Sequence, residues 1–270
     1  MAAPKPNFGE IAASQLMRLI GLPDCPLIVD VCLPEDVALD PVRIPTSLSA
    51  SHKDLSAVSA HASGRPCIVV CQKGKKLSHG AAAQLRAMGL QVEVLAGGMQ
   101  AWRAASLPST PIAALPQTPL WVTRHRPKID RIACPWLIKR FVDPAAQFFY
   151  VPPQEVMAVA EKFDAIAFDT PDAPFTHRGD KCTFDTMLDH YDLRSPALDR
   201  LSEVVRAADT GAPQACPEAA GLLAVSVGLS RQYKEDQAQL AAALPLYDAL
   251  YRWARDGQAE THDWADEAQR

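Results

Sequence analysis

The sequence predicts an α/β domain with a mostly parallel sheet in its first half and a helix-rich α+β domain in its second. Three observations carry this. Up to about residue 105, short apolar runs alternate with helical stretches, as strands buried on both faces and bridged by helices do. Next comes an uncharged segment, SLPSTPIAALPQTPLW, holding Pro108, Pro111, Pro116 and Pro119, which reads as a stiff extended linker. Finally, the charge balance changes: 10 basic and 8 acidic residues stand up to position 115, against 17 and 23 beyond it. The expected division is 1–107, a linker over 108–120, and 121–270.

In the first half, Asn7 followed by Glu10 has the spacing of a capping box and predicts a helix to about Ile20, ended by Gly21 and Pro23. LIVDV (27–31) predicts a buried strand, and Ser51 with Asp54 the start of a helix toward His61. PCIVV (66–70) is a second strand; a polar loop, a helix from Leu77 to Met88 stopped by Gly89, a third strand over 91–95 and a short helix with Trp102 follow. In the second half, strands are expected at 121–123, 147–151 and 165–168. Helices are expected at about 131–141, 153–162, 184–191, 196–209, 217–228 and 234–255, three of them opened by Pro153, Pro196 and Pro217 in the first turn.

At 270 residues, 48% hydrophobic and 21% charged, the chain can bury a real core, which excludes a disordered or collagen-like protein. A net charge of −4 is too mild to mark the whole chain for nucleic acid or membrane. With no apolar run of membrane-spanning length and no apolar core in MAAPKPNFGE, the expectation is a cytoplasmic protein. Seven cysteines are too sparse for a disulfide scaffold, so each is weighed as a thiol.

Cys71 stands out among them. It follows a buried strand and precedes a helix, the place where open α/β sheets put their chemistry. Its loop, Cys71-Gln72-Lys73-Gly74-Lys75-Lys76, brings free backbone N–H groups, a helix N-terminus and three lysines toward one sulfur, all favouring the nucleophilic thiolate. Such a thiolate can attack a sulfane sulfur and hold it as a persulfide, or attack an oxyanion.

LIVDV with Asp30, IVVC leading into CQKGKK, and LAGGMQAW (95–102) resemble a single rhodanese domain over about 8–107. The six-residue loop is similar to that of the sulfur-transferring members, whereas phosphatase and arsenate-reductase relatives have a loop one residue longer. The resemblance implies that Cys71 carries the persulfide, that the loop Gln72–Lys76 holds the substrate anion and that Asp30 supports it. It implies a sulfane-sulfur donor such as thiosulfate, a thiol acceptor and no required cofactor. Two positions depart from the family pattern: Cys32 stands where an arginine is usual, and Val42 to Ser47 replaces a G-H-I-P-G-A segment. Cys32 reads as a buried strand-end residue, with a resolving thiol as the alternative.

In the second half, WVTRHRPKIDRIACPWLIKRF (121–141) carries Arg124, Arg126, Lys128, Arg131, Lys139 and Arg140 against Asp130 alone. This basic stretch can bind an oxyanion or a phosphate backbone, or pair with acidic groups of the chain itself. A second cluster over 168–191 supplies Asp169, Asp172, His177, Asp180, Cys182, Asp185 and His190. Its His177, Cys182 and Asp185 are a candidate metal set that would borrow further ligands, such as Asp209 or Glu218, from afar; the alternative is a loop histidine, a small buried cysteine and a helix cap at Thr183.

The motifs TRHRPKIDRIACPWLIKRF, FTHRGDKCTFD, AADT (207–210), PEAAGLLA (217–224) and LYDALYRW (246–253) closely resemble the ChrB-type chromate resistance domain over nearly all of 121–255. The resemblance implies chromate handling or sensing without settling a reaction, so Arg124, Lys128, Asp130 and Arg131 stand as a candidate anion site by their chemistry. The combined expectation is a persulfide-forming sulfurtransferase fused to a chromate-resistance domain. The alternatives are a chromate-responsive regulator that binds DNA through the basic stretch, and direct chromate reduction through Cys71.

Overall fold

The computed structural model describes residues 8–260. Its first half is built on a five-stranded parallel sheet in the order β1-β6-β5-β2-β4. The elements run β1 (Glu10–Ile11), α1 (Ala13–Leu19), β2 (Leu27–Asp30), α2 (Pro34–Leu39), β3 (Val42–Arg43), β4 (Leu48–Ser49), α3 (Val58–Ala62), β5 (Cys67–Val70), α4 (Lys76–Ala87), β6 (Val92–Leu95) and α5 (Gly98–Ala104). The three apolar runs became β2, β5 and β6, since four consecutive buried residues in β2 and in β5 match a sheet covered on both faces.

Two local expectations were overridden. Asn7 lies outside the described residues, and Glu10–Ile11 pairs with Val94 and Leu95 instead of entering a helix. The helix begins only at Ala13, where the Gln15 side chain accepts the Ala12 N–H. Ser51 and Asp54 bridge each other, and their side-chain oxygens accept the N–H groups of Lys53 and Ser56. Those bonds hold a turn, so α3 starts later, at Val58.

The proline-rich segment is docked rather than extended through solvent. Its Thr110–Pro111 (β7) pairs antiparallel with β3, and the Ile112 N–H donates to the Pro41 carbonyl. The buried Trp102 indole donates to the Pro108 carbonyl at 2.9 Å.

The second half continues β8 (Leu120–Arg124), α6 (Asp130–Leu137), β9 (Gln147–Val151), α7 (Val156–Phe163), β10 (Ile166–Ala167), α8 (Thr183–His190), α9 (Pro196–Asp209), α10 (Pro217–Gln232) and α11 (Asp236–Arg252). It is helix-rich, and its small sheet, ordered β10-β8-β9, is parallel because α6 and α7 carry the chain back between strands. Helix α9 begins where Ser195 accepts the Leu198 N–H and Pro196 occupies the first turn.

Strand alternation assigns the faces of the first sheet. Cys67, Val69 and Cys71 pack with Ala81, Ala82 and Leu85 of α4. Ile68 and Val70 point the other way, into a core with Leu16, Ile20, Met99 and Trp102 that continues into Trp136, Phe141 and Tyr251 of the second half. Gly21 sits at this junction: at φ +84° it passes so close that an added Cβ would lie 2.4 Å from the Phe141 ring and 2.7 Å from that of Tyr251. The Arg255 guanidinium donates to the Arg18 carbonyl at 2.7 Å across the same junction.

Candidate functional site

Cys71 follows β5 directly and is buried, with its Sγ 3.2 Å from the Ser78 hydroxyl in the first turn of α4. That hydroxyl donates to the Lys75 carbonyl at 3.1 Å, so serine, loop and sulfur form one connected unit. The loop is clasped from outside. The Met99 and Gln100 N–H groups at the start of α5 donate to the carbonyls of Cys71 and Gln72, each at 3.1 Å. Cys71 to Gly74 form a turn, and among the described residues no backbone acceptor takes the N–H groups of Gln72, Lys73, Lys75 or Lys76. A loop with such free amides offers donors to an anion.

Two glycines make the clasp possible. Gly74 (φ +60°) and Gly98 (φ +58°) meet backbone to backbone: a Cβ on Gly98 would lie 2.0 Å from the Cys71 oxygen, and one on Gly74 would lie 2.6 Å from the Gly98 nitrogen. Above the sulfur opens a cleft of about 340 Å³ lined by Leu33, Asp36, Gln72, Lys73, Lys75 and Lys76. Every residue lining it belongs to the first half. The Asp30 carboxylate accepts the Cys32 N–H at 2.9 Å and so orders the neighbouring strand end.

The other six cysteines sit where the thiolate is disfavoured. Burial, the largest cause in each case, raises the thiol pKa of Cys25 (to about 11), Cys32, Cys67, Cys134, Cys182 and Cys216. For Cys32 the Asp30 carboxylate pushes the same way, which keeps that thiol protonated.

The second half gathers a different cluster from four separate segments. Asp130 opens α6, Asp169 follows β10, His177 lies in the loop before α8, and Asp209 ends α9. The His177 Nε2 is 3.1 Å from Asp209, 3.4 Å from Asp130 and 3.5 Å from Asp169. Asp130 is wholly buried, and its Oδ2 accepts the Thr183 N–H at 2.6 Å. Asp169 accepts from the Thr183 hydroxyl at 3.0 Å and pairs with Arg124 at 2.9 Å and Arg131 at 3.3 Å.

Crowded, buried carboxylates disfavour ionisation. Burial first, then the neighbouring Asp130 and Asp169 charges, push Asp209 up to about 7, and burial likewise raises Asp130. His177 is raised to about 9, chiefly by its hydrogen bond with Asp130, against the opposing effect of burial. The backbone is strained beside this cluster: Ile129, immediately before Asp130, has φ +41°, a region a β-branched residue rarely adopts, and Asp169 has φ +50°.

The expected sites map onto this geometry unevenly. The Cys71 loop is assembled as one unit. Of the anion candidates, Arg124 and Arg131 converge on Asp169, Asp130 is buried against His177 and Thr183, and Lys128 stands exposed. Of the metal set, His177 joins Asp130 and Asp209 in place of Asp185 and Cys182. Asp185 is taken by Arg206 at 2.8 Å and by the Cys182 N–H at 3.2 Å, as a buried cap and ion pair of α8. The Cys182 thiol donates to Asp185 at 3.4 Å. Glu218 pairs with Arg200 at 2.9 Å, away from the cluster.

The remaining basic side chains of 121–141 are engaged internally. Arg126 donates to the Ser230 carbonyl, Arg140 holds Asp248 through two N–H groups, and Lys139 donates to the Ala146 carbonyl. Those contacts occupy donors that a phosphate backbone would need.

A parallel sheet with a cysteine at a strand end, and a loop clasped by paired glycines ahead of a helix, is the architecture of a rhodanese-like domain. The family model of the rhodanese-like domain matches residues 12–105, and that of the ChrB C-terminal domain matches 121–254. The chain thus joins a rhodanese-like domain to a ChrB C-terminal domain. Among curated proteins it is similar to Protein ChrB of Cupriavidus metallidurans, 36% identical over 132 residues. That match takes in 48% of this chain and spans 39% of the relative's length. Similar solved structures include a rhodanese-related protein from Thermoplasma volcanium (22% identity, TM-score 0.32, covering 37% of this chain and 95% of that one). Another is a thiosulfate sulfurtransferase from Pseudomonas aeruginosa (23% identity, TM-score 0.32, covering 40% and 21%). No helix among the described residues is long and apolar enough to cross a membrane.

Proposed function

We propose that the first domain is a sulfurtransferase that carries sulfur as a persulfide on Cys71, and that the second acts in chromate resistance. The observation that carries the first part is the sulfur's setting. Cys71 Sγ lies beneath an open cleft, beside the Ser78 hydroxyl, within a loop where the amides of Gln72, Lys73, Lys75 and Lys76 have no backbone acceptor among the described residues. In the first step the Cys71 thiolate attacks the outer sulfur of thiosulfate. The S–S bond breaks, sulfite leaves with the electron pair, and Cys71 becomes a persulfide. The free amides, with Lys73, Lys75 or Lys76, offset the charge on the departing anion. In the second step an acceptor thiolate attacks the outer persulfide sulfur and regenerates the Cys71 thiolate. The second part rests on the ChrB C-terminal domain match.

Cyanide as acceptor makes the chemistry measurable as thiocyanate. Cys71→Ser should abolish thiosulfate-dependent thiocyanate formation, whereas Cys32→Ser should retain it. An unchanged rate in the Cys71 variant overturns the assignment.

A further inference from the structure

We propose that Asp130, His177 and Asp209 form a binding site for a divalent first-row transition metal ion, independent of the Cys71 chemistry. The three residues offer two carboxylate oxygens and one imidazole nitrogen, and these donor atoms lie within 4.8 Å of one another. Ligands at about 2.0–2.2 Å from a common ion lie at most about 4.4 Å apart, so shifts of a few tenths of an ångström complete the set. The Nε2 separations from Asp209 and Asp130, 3.1 and 3.4 Å, already lie inside that limit.

A second observation points to a ligand. Asp130 is fully buried: its Oδ2, the oxygen 3.4 Å from His177, is held by the Thr183 N–H, and its Oδ1 has no hydrogen-bond partner. An orphaned carboxylate oxygen costs free energy unless something positive meets it. Asp130, Asp169 and Asp209 carry a formal −3 against the +2 of Arg124 and Arg131, which leaves a net negative charge for a cation to offset. The mixed nitrogen and oxygen donors favour manganese, iron, cobalt or zinc over calcium or magnesium. Access comes from the His177 side, where that side chain is 42% exposed.

A purely structural reading makes His177 a cation balancing the carboxylates and predicts no uptake of metal. To separate the two, the full chain is purified without a histidine tag, stripped with EDTA and dialysed, then titrated with Co²⁺ alone and Zn²⁺ alone by calorimetry. Cobalt is also followed by its d–d absorption. Binding of one equivalent, weakened at least tenfold by His177→Ala and by Asp209→Asn, is the expected result. Because Asp130 lies wholly inside, its substitution can unfold the chain. The two rim variants, checked by circular dichroism, therefore decide between the readings. Less than a tenth of an equivalent bound to the unmodified chain, or unweakened binding in both folded variants, overturns the site.

Discussion

Replacing Gly98 by alanine tests whether the clasp between α5 and the Cys71 loop sets the reactive geometry. The cost has two parts. At φ +58° an L side chain pays about 1–2 kcal/mol for the left-handed backbone. The new Cβ would also lie 2.0 Å from the Cys71 oxygen, 2.5 Å from the Gly74 nitrogen and 3.0 Å from the Gln72 carbonyl carbon. These are backbone atoms, so no side chain can swing aside, and relief requires the loop to move by about 1 Å, an overpacking cost of about 1–3 kcal/mol. The sum is about 2–5 kcal/mol. Gly89→Ala is the matched control, because Gly89 has φ +86° and nothing within 4 Å of its added Cβ, leaving only the first part. Urea unfolding should place Gly98→Ala well below Gly89→Ala in midpoint. Thiocyanate formation should fall by about tenfold to a hundredfold in the former and hold in the latter, since misplacement by about 1 Å can cost that much. Equal midpoints with equal activity would refute the clasp.

Two further outcomes follow from the packing and the titrating groups. Gly21→Ala would drive a Cβ into the Phe141 and Tyr251 rings, so limited proteolysis should cut the 106–119 segment faster than in the parent while circular dichroism shows both halves folded; unchanged cutting would show that the junction does not hold that segment down. In EDTA, His177, whose folded pKa is raised from 6.5 to about 9, contributes stability that is fully present below pH 6.5 and lost as pH rises through about 9. Asp209, raised to about 7, has its own contribution present below pH 3.8 and lost as pH rises through about 7, so the fall above about pH 8 belongs to the histidine. With a side chain 42% exposed, solvent screening reduces the effect to about 1 kcal/mol, and His177→Gln should flatten it; an equally steep fall in that variant would assign the dependence to other groups.

The parts of the fold legible in the sequence are those whose signal is local. Leu27–Asp30 and Cys67–Val70 announce themselves as unbroken apolar runs, and α9 has both its cap, Ser195, and its Pro196. Two-residue strands such as β1 and β7 have no periodicity to read, because only the partner strand defines them. The same distinction separates the two sites. The Cys71 loop is one contiguous hexapeptide, so its chemistry could be read in place. The Asp130 cluster is assembled by tertiary contact from residues 79 positions apart at its ends. Its histidine and Asp130 were visible as candidates in different groups, Asp209 only as a distant donor, and nothing local separated Asp209 from Glu218 or Asp185. What assigns Asp185 elsewhere is Arg206, which reaches it from 21 residues away.

The alternation in β5 also settles how the two domains bear on each other. Cys71 belongs to the α4 face of its sheet, and among the described residues its cleft is lined by the first half alone. The clasp that shapes the loop is different. It begins at Met99 and Gln100, and the same short helix buries Met99 and Trp102 in the core that runs on into Trp136, Phe141 and Tyr251. Among the described residues, the second domain thus supplies packing beneath α5 and no lining of the cleft. Interiors are close-packed and transmit displacement, so the placement of the loop carbonyls rests on a core built from both halves of the chain.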